Sequence, residues 1–163
     1  MSYKLEQPYT ERQRADFIVE YNHNKGLNID IDKNGNLFAL EAFEKLVDDE
    51  VIDNTAEYEA EKAKAERERI NMLSLTAADV ERAIYKAKGI DFEDILEAVK
   101  ENPDIDVKAL KIEFKANNFY RGNQYIEQVG TLLGFSSQML DKFFETGDYK
   151  ELLGEQNAWM VQR

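Results

Sequence analysis

Residues 27–42 read Leu-Asn-Ile-Asp-Ile-Asp-Lys-Asn-Gly-Asn-Leu-Phe-Ala-Leu-Glu-Ala, and this stretch decides how the N-terminal part of the chain folds. The Asn-Gly pair at 34–35 tolerates positive φ angles, which favours a two-residue type I′ turn between two strands. That turn sets a register of opposed residues: Ile31 with Phe38, Ile29 with Leu40, and Leu27 with Ala42. One face of the hairpin would then be entirely apolar, and a slip of one residue would destroy this sorting. The pattern predicts a β-hairpin.

The same residues also match a calcium-binding loop, because positions 30–41 fit the pattern D-x-[DN]-x-[DN]-G-x5-E. The candidate ligands are Asp30, Asp32, Asn34, Asn36 and Glu41. Calcium needs six or more oxygens in a tight loop, but the ninth position is Phe38, which offers none. Residues 26–29 alternate like a strand where an entering helix would be required. The hairpin is therefore favoured over the calcium loop, and we predict no metal and no cofactor.

Around this hairpin, residues 1–54 are predicted to form a small α+β module. Residues 3–7 fit a short edge strand, and Thr10 fits the N-cap of a helix that runs to about Asn24. Residues 43–47 and 50–53 fit a second hairpin across the Asp48-Asp49 pair. We expect an antiparallel β-meander with one helix packed against it.

Residues 55–73 are predicted to form a charged connecting helix, because they consist almost entirely of strong helix formers. Their apolar periodicity is poor. A solvated connecting helix is favoured, and a short oligomerisation stalk is the alternative.

Residues 74–153 are predicted to form an all-α bundle of about five short helices. The expected N-caps are Thr76, Asp91, Asn123 and Ser136 or Ser137. One longer helix should run from about Asp106 through Phe119. The expected buried centre consists of Phe92, Leu96, Leu110, Phe114, Leu133 and Phe143, and this module should fold alone. In the tail, residues 154–163, Trp159 either docks on a partner or is loose.

Residues 126–143 have the apolar and turn spacing of a helix-turn-helix. The surface that would read DNA is unsuitable, because it offers Lys142 against Asp141 and Glu145. We favour a plain helical hairpin over a DNA-binding one.

Composition excludes several classes of function. The net charge of −12 argues against general binding to a phosphate backbone, and the absence of cysteine removes disulfides, thiolate zinc sites and cysteine nucleophiles. The chain shows no signal peptide and no apolar run near 18 residues. His23 is the only histidine, and no glycine-rich phosphate loop is present. We expect a soluble protein that is not an enzyme and binds neither nucleic acid nor membrane.

Several short blocks carry a resemblance. They are Asn-Asn-Phe-Tyr-Arg-Gly-Asn at 117–123, Leu-Leu-Gly at 132–134, Asp-Lys-Phe-Phe-Glu at 141–145, Tyr-Lys-Leu-Glu-Gln-Pro-Tyr-Thr at 3–10 and Asn-Leu-Phe-Ala-Leu-Glu at 36–41. The chain resembles small uncharacterised proteins encoded near tail-fibre genes of phages and prophages of Gram-positive bacteria. The resemblance implies a virion-associated or assembly role and gives no functional residues.

The expected function is therefore a non-enzymatic protein–protein interaction protein of a phage, either a tail or baseplate component or a tail-fibre assembly factor. Its partners would be tail or tail-fibre proteins, in the cytoplasm of a bacterial host or on the virion. The alternatives are a helix-turn-helix transcription regulator and a phage inhibitor of a host defence protein.

Overall fold

The structure is a computed structural model that describes residues 2–154. The chain divides into two compact units between Ala65 and Glu66. The first unit contains β1 (Tyr3–Leu5), α1 (Glu11–Ile18), β2 (Asn28–Ile31), β3 (Leu37–Leu40), β4 (Glu44–Val47) and β5 (Glu50–Asp53), and α2 (Thr55–Asn71) begins in it. The second contains β6 (Ser74–Thr76), α3 (Ala77–Lys88), α4 (Phe92–Val99), α5 (Val107–Glu113), β7 (Asn118–Tyr120), α6 (Gln124–Leu132), α7 (Ser137–Thr146) and a 3-10 turn (Tyr149–Leu152). The predicted α+β class is confirmed.

In the first unit, β3 is the central strand. The strand order is β1–β3–β2, and both pairings are antiparallel. All four residues of β3 are buried. On one face of the sheet, Leu37 and Ala39 join Phe17 of α1 and Leu27 in a buried cluster. Helix α1 therefore covers one face of the sheet, as predicted. The sheet is antiparallel but is not the predicted meander, because β1 pairs with β3 and not with β2, and β4 and β5 form a sheet of their own.

The first hairpin forms as predicted, but its predicted register is wrong by one residue. The observed pairs are Ile31 with Leu37, Asp30 with Phe38, Ile29 with Ala39, and Asn28 with Leu40. The prediction assumed that the hairpin has one buried and one solvated face. In fact β3 is buried on both faces, so all of its residues are apolar and do not alternate with polar ones. The pattern therefore cannot show which residues of β3 lie opposite the apolar residues of β2.

The turn of this hairpin explains the shifted register. Gly35 has φ 84°, but Asn34 is not in the positive region, so the turn is not type I′. The Gly35 N–H donates to the Asp32 carbonyl, and the Asp32 N–H donates to the Asn36 carbonyl, each at 3.0 Å. This is a three-residue loop with a glycine bulge. The Asp32 carboxylate stabilises it by accepting the N–H groups of Asn34 and Asn36 at 2.9 and 2.8 Å.

The first helix begins where the sequence predicts. The Thr10 hydroxyl accepts the Gln13 N–H, and the Gln13 side chain accepts the Thr10 N–H at 2.8 Å, which makes a capping box. Helix α1 continues as a π-helical segment over Val19–Asn24. The Asn22 amide then donates to the Leu27 carbonyl at 2.8 Å and fixes the chain at the approach to β2.

The second unit is not all helical, contrary to the prediction. Strands β6 and β7 form an antiparallel pair with Leu75 opposite Phe119. The helix predicted from Asp106 through Phe119 ends at Glu113. Asparagine is a weak former of helix interiors, and Asn117 and Asn118 stand just before and at the start of β7. Phe119 is 3% exposed, so it reaches the core from a strand rather than from a helix.

The helix starts and most of the core of the second unit are confirmed. Each predicted N-cap accepts a main-chain N–H of the first helical turn: Thr76, Asp91, Asn123 and Ser136. Phe92, Leu110 and Phe143 are buried. Leu96, Phe114 and Leu133 are half-buried and pack against the same cluster. Trp159 lies outside the described residues.

The last turns of α2 belong to the second unit. The Asn71 carbonyl accepts the Gly122 N–H at 3.1 Å, and the Leu73 carbonyl accepts the Arg121 N–H at 2.9 Å. The Arg67 guanidinium donates two hydrogen bonds to the Asp141 carboxylate. Residues 66–73 therefore contribute contacts that a fragment beginning at residue 74 lacks.

We predict that a fragment of residues 66–154 melts cooperatively and at a higher temperature than a fragment of residues 74–153. The longer fragment keeps the bonds of Arg67 and Asn71, whereas the shorter one leaves the Asp141 carboxylate with one arginine fewer. Circular dichroism melts of both fragments measure the difference. Equal melting temperatures would show that these contacts add nothing to the stability of the second unit.

Candidate functional site

The second hairpin of the first unit, β4 and β5, forms as predicted. Asp48 and Asp49 have φ angles of 48° and 67°, as a two-residue type I′ turn requires. The opposed pairs are Glu44 with Asp53, Lys45 with Ile52, Leu46 with Val51, and Val47 with Glu50. Among the strands of residues 2–154, β4 and β5 pair only with each other. We call this hairpin the β4–β5 ribbon.

One face of the β4–β5 ribbon presents large apolar side chains to solvent. Val47 and Ile52 lie on it and are 44% and 39% exposed, and Phe43 just before β4 is 36% exposed. Leu46 and Val51 point to the opposite face and are half-buried. We call the surface formed by Phe43, Val47 and Ile52 the ribbon face. A grouped set of exposed apolar side chains on a polar rim is typical of a protein-binding surface.

The rim of the ribbon is strongly acidic. Residues 41–54 contain one lysine and six carboxylates: Glu41, Glu44, Asp48, Asp49, Glu50 and Asp53. The lysine, Lys45, lies on the ribbon face opposite Ile52, as Glu50 does opposite Val47, and its Nζ is 2.5 Å from the Glu57 carboxylate. The hydrogen bond from Lys33 lowers the pKa of Asp49, and hydrogen bonds from Thr55 lower the pKa of Asp53. Asp49 and Asp53 therefore carry their negative charge throughout the neutral range.

Two of the candidate calcium ligands, Asp32 and Asn36, use their side chains to build the loop of the first hairpin. The Asp32 carboxylate accepts three hydrogen bonds, including one from the Asn36 side chain at 2.7 Å. The Asn36 side-chain oxygen accepts the Gln7 N–H at 2.8 Å. Burial acts to raise the pKa of Asp32, but the hydrogen bonds from Asn36 and Asn34 outweigh it and the pKa is lowered. Asp30 and Glu41 do not join Asp32 in a cluster, since residues 2–154 contain no group of three acidic or histidine side chains placed to hold a metal ion.

We predict no specific calcium binding. The oxygens of Asp32 and Asn36 would have to give up their hydrogen bonds before they could bind a cation. Calorimetry at neutral pH should show no saturable heat below about 1 mM calcium, the weak end of the range for calcium modules. A micromolar constant would contradict this assignment of the loop.

Sequence reasoning missed a buried arginine. Arg121 is 3% exposed and follows β7. Its Nε donates to Asp141 Oδ1 at 2.7 Å, and its Nη2 donates to Ser137 Oγ and lies 2.8 Å from Glu127 Oε2. Its burial was not predicted, because it stands beside a Gly-Asn turn and nothing in the local pattern distinguishes a buried arginine from a surface one. Arg121 joins α6, through Glu127, to α7.

Helices α6 and α7 form the predicted hairpin. A Cβ on Gly130 would stand 2.6 Å from Leu140 Cδ1, so the glycine permits the close approach of the two helices. Gly134 forms the turn between them with φ 80°. The polar side of α7 is engaged within the second unit, where Asp141 binds Arg67 and Arg121.

The pKa of Asp141 gives the second unit a pH dependence. Burial acts to raise this pKa, but the hydrogen bond from Arg67 and the charges of Arg121 and Arg67 outweigh it, and the pKa is lowered. A carboxyl with a lower pKa in the folded chain stabilises that chain above its unfolded pKa of about 3.9, and the contribution disappears as the pH falls through the folded pKa.

We therefore predict that Asp141→Asn destabilises the protein at pH 7 and that its difference from the wild type shrinks towards pH 3. Urea denaturation at both pH values measures it. A difference that stays constant with pH would mean that the charge of Asp141 contributes nothing.

A small apolar cavity of about 40 Å³ lies in the core of the second unit, among side chains that include Phe92, Phe119, Val129 and Phe143. Small-molecule pockets are usually larger than about 300 Å³, so this cavity is a packing void.

His23 lies in the exposed π-helical segment of the first unit.

The chain is thus an α+β protein of two units whose most distinctive surface is an acidic, apolar-faced ribbon. No family model, no curated protein and no solved structure matches it. Within residues 2–154, the structure contains no helix with the length and apolar character needed to cross a membrane.

Proposed function

We propose that the protein is a non-enzymatic protein-interaction protein and that the ribbon face contacts its partner. The observation that carries this proposal is the exposure of Phe43, Val47 and Ile52 together on a two-stranded ribbon. A ribbon of two strands is marginal alone, and covering its apolar face would stabilise it. A partner that covers the ribbon face would therefore gain free energy by burying apolar side chains that are exposed in the free chain.

The chemistry of the polar groups supports a binding role over a catalytic one. Asp32 and Asn36 are bonded into a turn, and Arg121 and Asp141 are bonded to each other. Asp32 and Arg121 are the buried polar side chains among residues 2–154, and both are engaged in holding their own unit together.

In the setting implied by the resemblance, the partner is a tail or tail-fibre protein. The chain would then act as a tail or baseplate component, or as an assembly factor, in the cytoplasm of a bacterial host or on the virion. A role as inhibitor of a host defence protein uses the same surface, and dispensability for particle assembly would identify it.

The test places a photo-crosslinking amino acid at position 47 of the full chain, in cells of the organism that encodes it. The matched control places the same group at position 72, since Met72 is 73% exposed and lies in the second unit. We expect one protein to crosslink at position 47, and the crosslink to disappear in the Phe43→Asp and Ile52→Asp double variant. Crosslinking at position 72 alone would contradict the proposal.

The helical hairpin supports a second candidate function, a helix-turn-helix regulator, because Gly130 and Gly134 give α6 and α7 a compact arrangement. Its test is a mobility shift with genomic fragments at physiological salt. A sequence-specific shift at nanomolar protein would place this candidate first, since non-specific affinities are weaker than about 1 µM.

A further inference from the structure

We propose that the outer edge of β5 pairs with an extended segment of another protein that has the pattern basic–apolar–apolar–basic. The added segment would make the ribbon a three-stranded sheet. This proposal rests on the proposed function and adds to it the mode of binding and the chemistry of the partner.

The pairing of the ribbon determines which main-chain groups are free to bind. The Asn54 N–H donates to the Phe43 carbonyl at 2.7 Å, which makes these two residues a hydrogen-bonded pair. Hydrogen-bonded and non-hydrogen-bonded pairs alternate along an antiparallel ladder. The Glu44–Asp53 and Leu46–Val51 pairs are therefore of the second kind. Consequently the N–H and carbonyl groups of Val51 and Asp53 point away from β4, towards the outer edge of β5.

The two edges of the ribbon are not equivalent. At the start of β4, the Glu44 N–H donates to the Glu41 carbonyl at 3.0 Å, and the Glu41 N–H donates to the Glu44 carboxylate at 2.8 Å. This turn lies along the β4 edge. The β5 edge has no such turn: the Asp53 carboxylate bonds to Thr55, beyond the end of the strand. The β5 edge is therefore the one that an incoming strand can follow along its whole length.

The side chains of β5 define the partner. Residues 50–53 read Glu-Val-Ile-Asp, acidic at both ends and apolar between. Side chains opposite each other on paired strands lie on the same face, and opposite charges there are favourable. A strand beside β5 therefore matches it best with basic residues opposite Glu50 and Asp53 and apolar residues opposite Val51 and Ile52. The residue opposite Ile52 would extend the apolar ribbon face.

The same charges disfavour a second copy of this chain as the occupant. Two β5 edges paired antiparallel about their centre would place Glu50 of one copy opposite Asp53 of the other. Like charges directly opposed destabilise strand pairing, and a net charge of −12 adds long-range repulsion between copies. Edge strands often avoid self-association by carrying charge. Here that charge also selects a basic partner.

The experiment measures fluorescence anisotropy of a labelled peptide, Ser-Gly-Ser-Lys-Val-Val-Lys-Ser-Gly-Ser, titrated with the full-length chain. Its control is the same peptide with both lysines replaced by glutamates. We expect saturable binding of the lysine peptide below about 1 mM, the affinity of a weak transient contact, and none of the glutamate peptide. Binding should weaken as salt is added.

Two variants at opposed positions test the choice of edge. Val51→Pro removes an outward N–H from β5, and Leu46→Pro removes its counterpart from β4. Proline is tolerated where the N–H of an edge strand faces solvent. We expect Val51→Pro to weaken binding of the lysine peptide about tenfold, through one lost hydrogen bond and the clash of the ring with the added strand, and Leu46→Pro to leave it unchanged.

Glu50→Lys tests the charge without a proline. It should weaken the lysine peptide about fivefold and permit the glutamate peptide to bind. Three results would overturn the proposal: equal losses in the two proline variants, equal binding of both peptides to the wild-type chain, or no saturable binding of the lysine peptide to the wild-type chain. If Val51→Pro leaves the crosslink at position 47 unchanged while the double variant at 43 and 52 abolishes it, the interaction function stands and edge pairing is wrong.

Discussion

Phe143→Ala is expected to lower the free energy of unfolding of the second unit by about 3–5 kcal/mol. Phe143 is 2% exposed, and its ring meets that of Phe144 edge-on at 5.7 Å between centroids. The change removes a large apolar side chain and leaves a cavity that the neighbouring helices can fill only in part. Typical domains have a stability of about 5–15 kcal/mol, so the variant should lose a large share of it. Urea denaturation followed by circular dichroism measures the loss.

The matched control is Tyr85→Ala, another aromatic truncation in a helix, because Tyr85 is 62% exposed. It should change the stability by no more than about 0.5 kcal/mol. A similar loss in both variants would contradict the assignment of Phe143 to the core.

Arg121→Met is expected to cost about 3 kcal/mol, because it leaves the partly buried Asp141 carboxylate with a single arginine. The Arg121 side chain is 4% exposed, and it also donates to Ser137 Oγ at 2.8 Å. Methionine keeps most of the volume, so the loss reports charge and hydrogen bonds rather than a cavity. Adding Asp141→Leu should recover part of the loss, since the unpaired charge is then removed as well.

The control for this prediction is Arg12→Met, because Arg12 is 92% exposed and lies 3.9 Å from Asp16. Exposed ion pairs contribute about 0–1 kcal/mol, so this variant should melt close to the wild type. If Arg121→Met behaved like Arg12→Met, the buried network would be dispensable.

The sequence predicted element types well where a local chemical signal fixes them. Thr10, Thr76, Asp91 and Ser136 begin helices because their side chains accept a main-chain N–H of the first turn. The Asp48-Asp49 pair makes the tight turn of the second hairpin. These signals act over a few residues, so they can be read without knowledge of the tertiary fold.

What could not be predicted depends on distant contacts. The apolar alternation of β3 could not report the register of the first hairpin, because β1 pairs with β3 and makes it a central strand. The position of Phe119 depends on β6, more than 40 residues earlier in the chain. The burial of Arg121 depends on Asp141 of α7. For the candidate site, the apolar residues of the ribbon were recognised as strand residues, but their exposure depends on what packs on that face within residues 2–154, which the local pattern does not report.

The two glycines of the α6–α7 hairpin, Gly130 and Gly134, are expected to tolerate different substitutions, because each is required for a different physical reason. Gly130 is required by volume, so alanine there should survive mainly in company with a smaller residue at Leu140, whose Cδ1 would lie 2.6 Å from the new Cβ. Gly134 has open space around it but φ 80°, so asparagine should be accepted and β-branched residues rejected. Changes at Gly130 would therefore occur together with changes at Leu140, whereas changes at Gly134 would be independent of other positions. Neither pattern would mark a binding site.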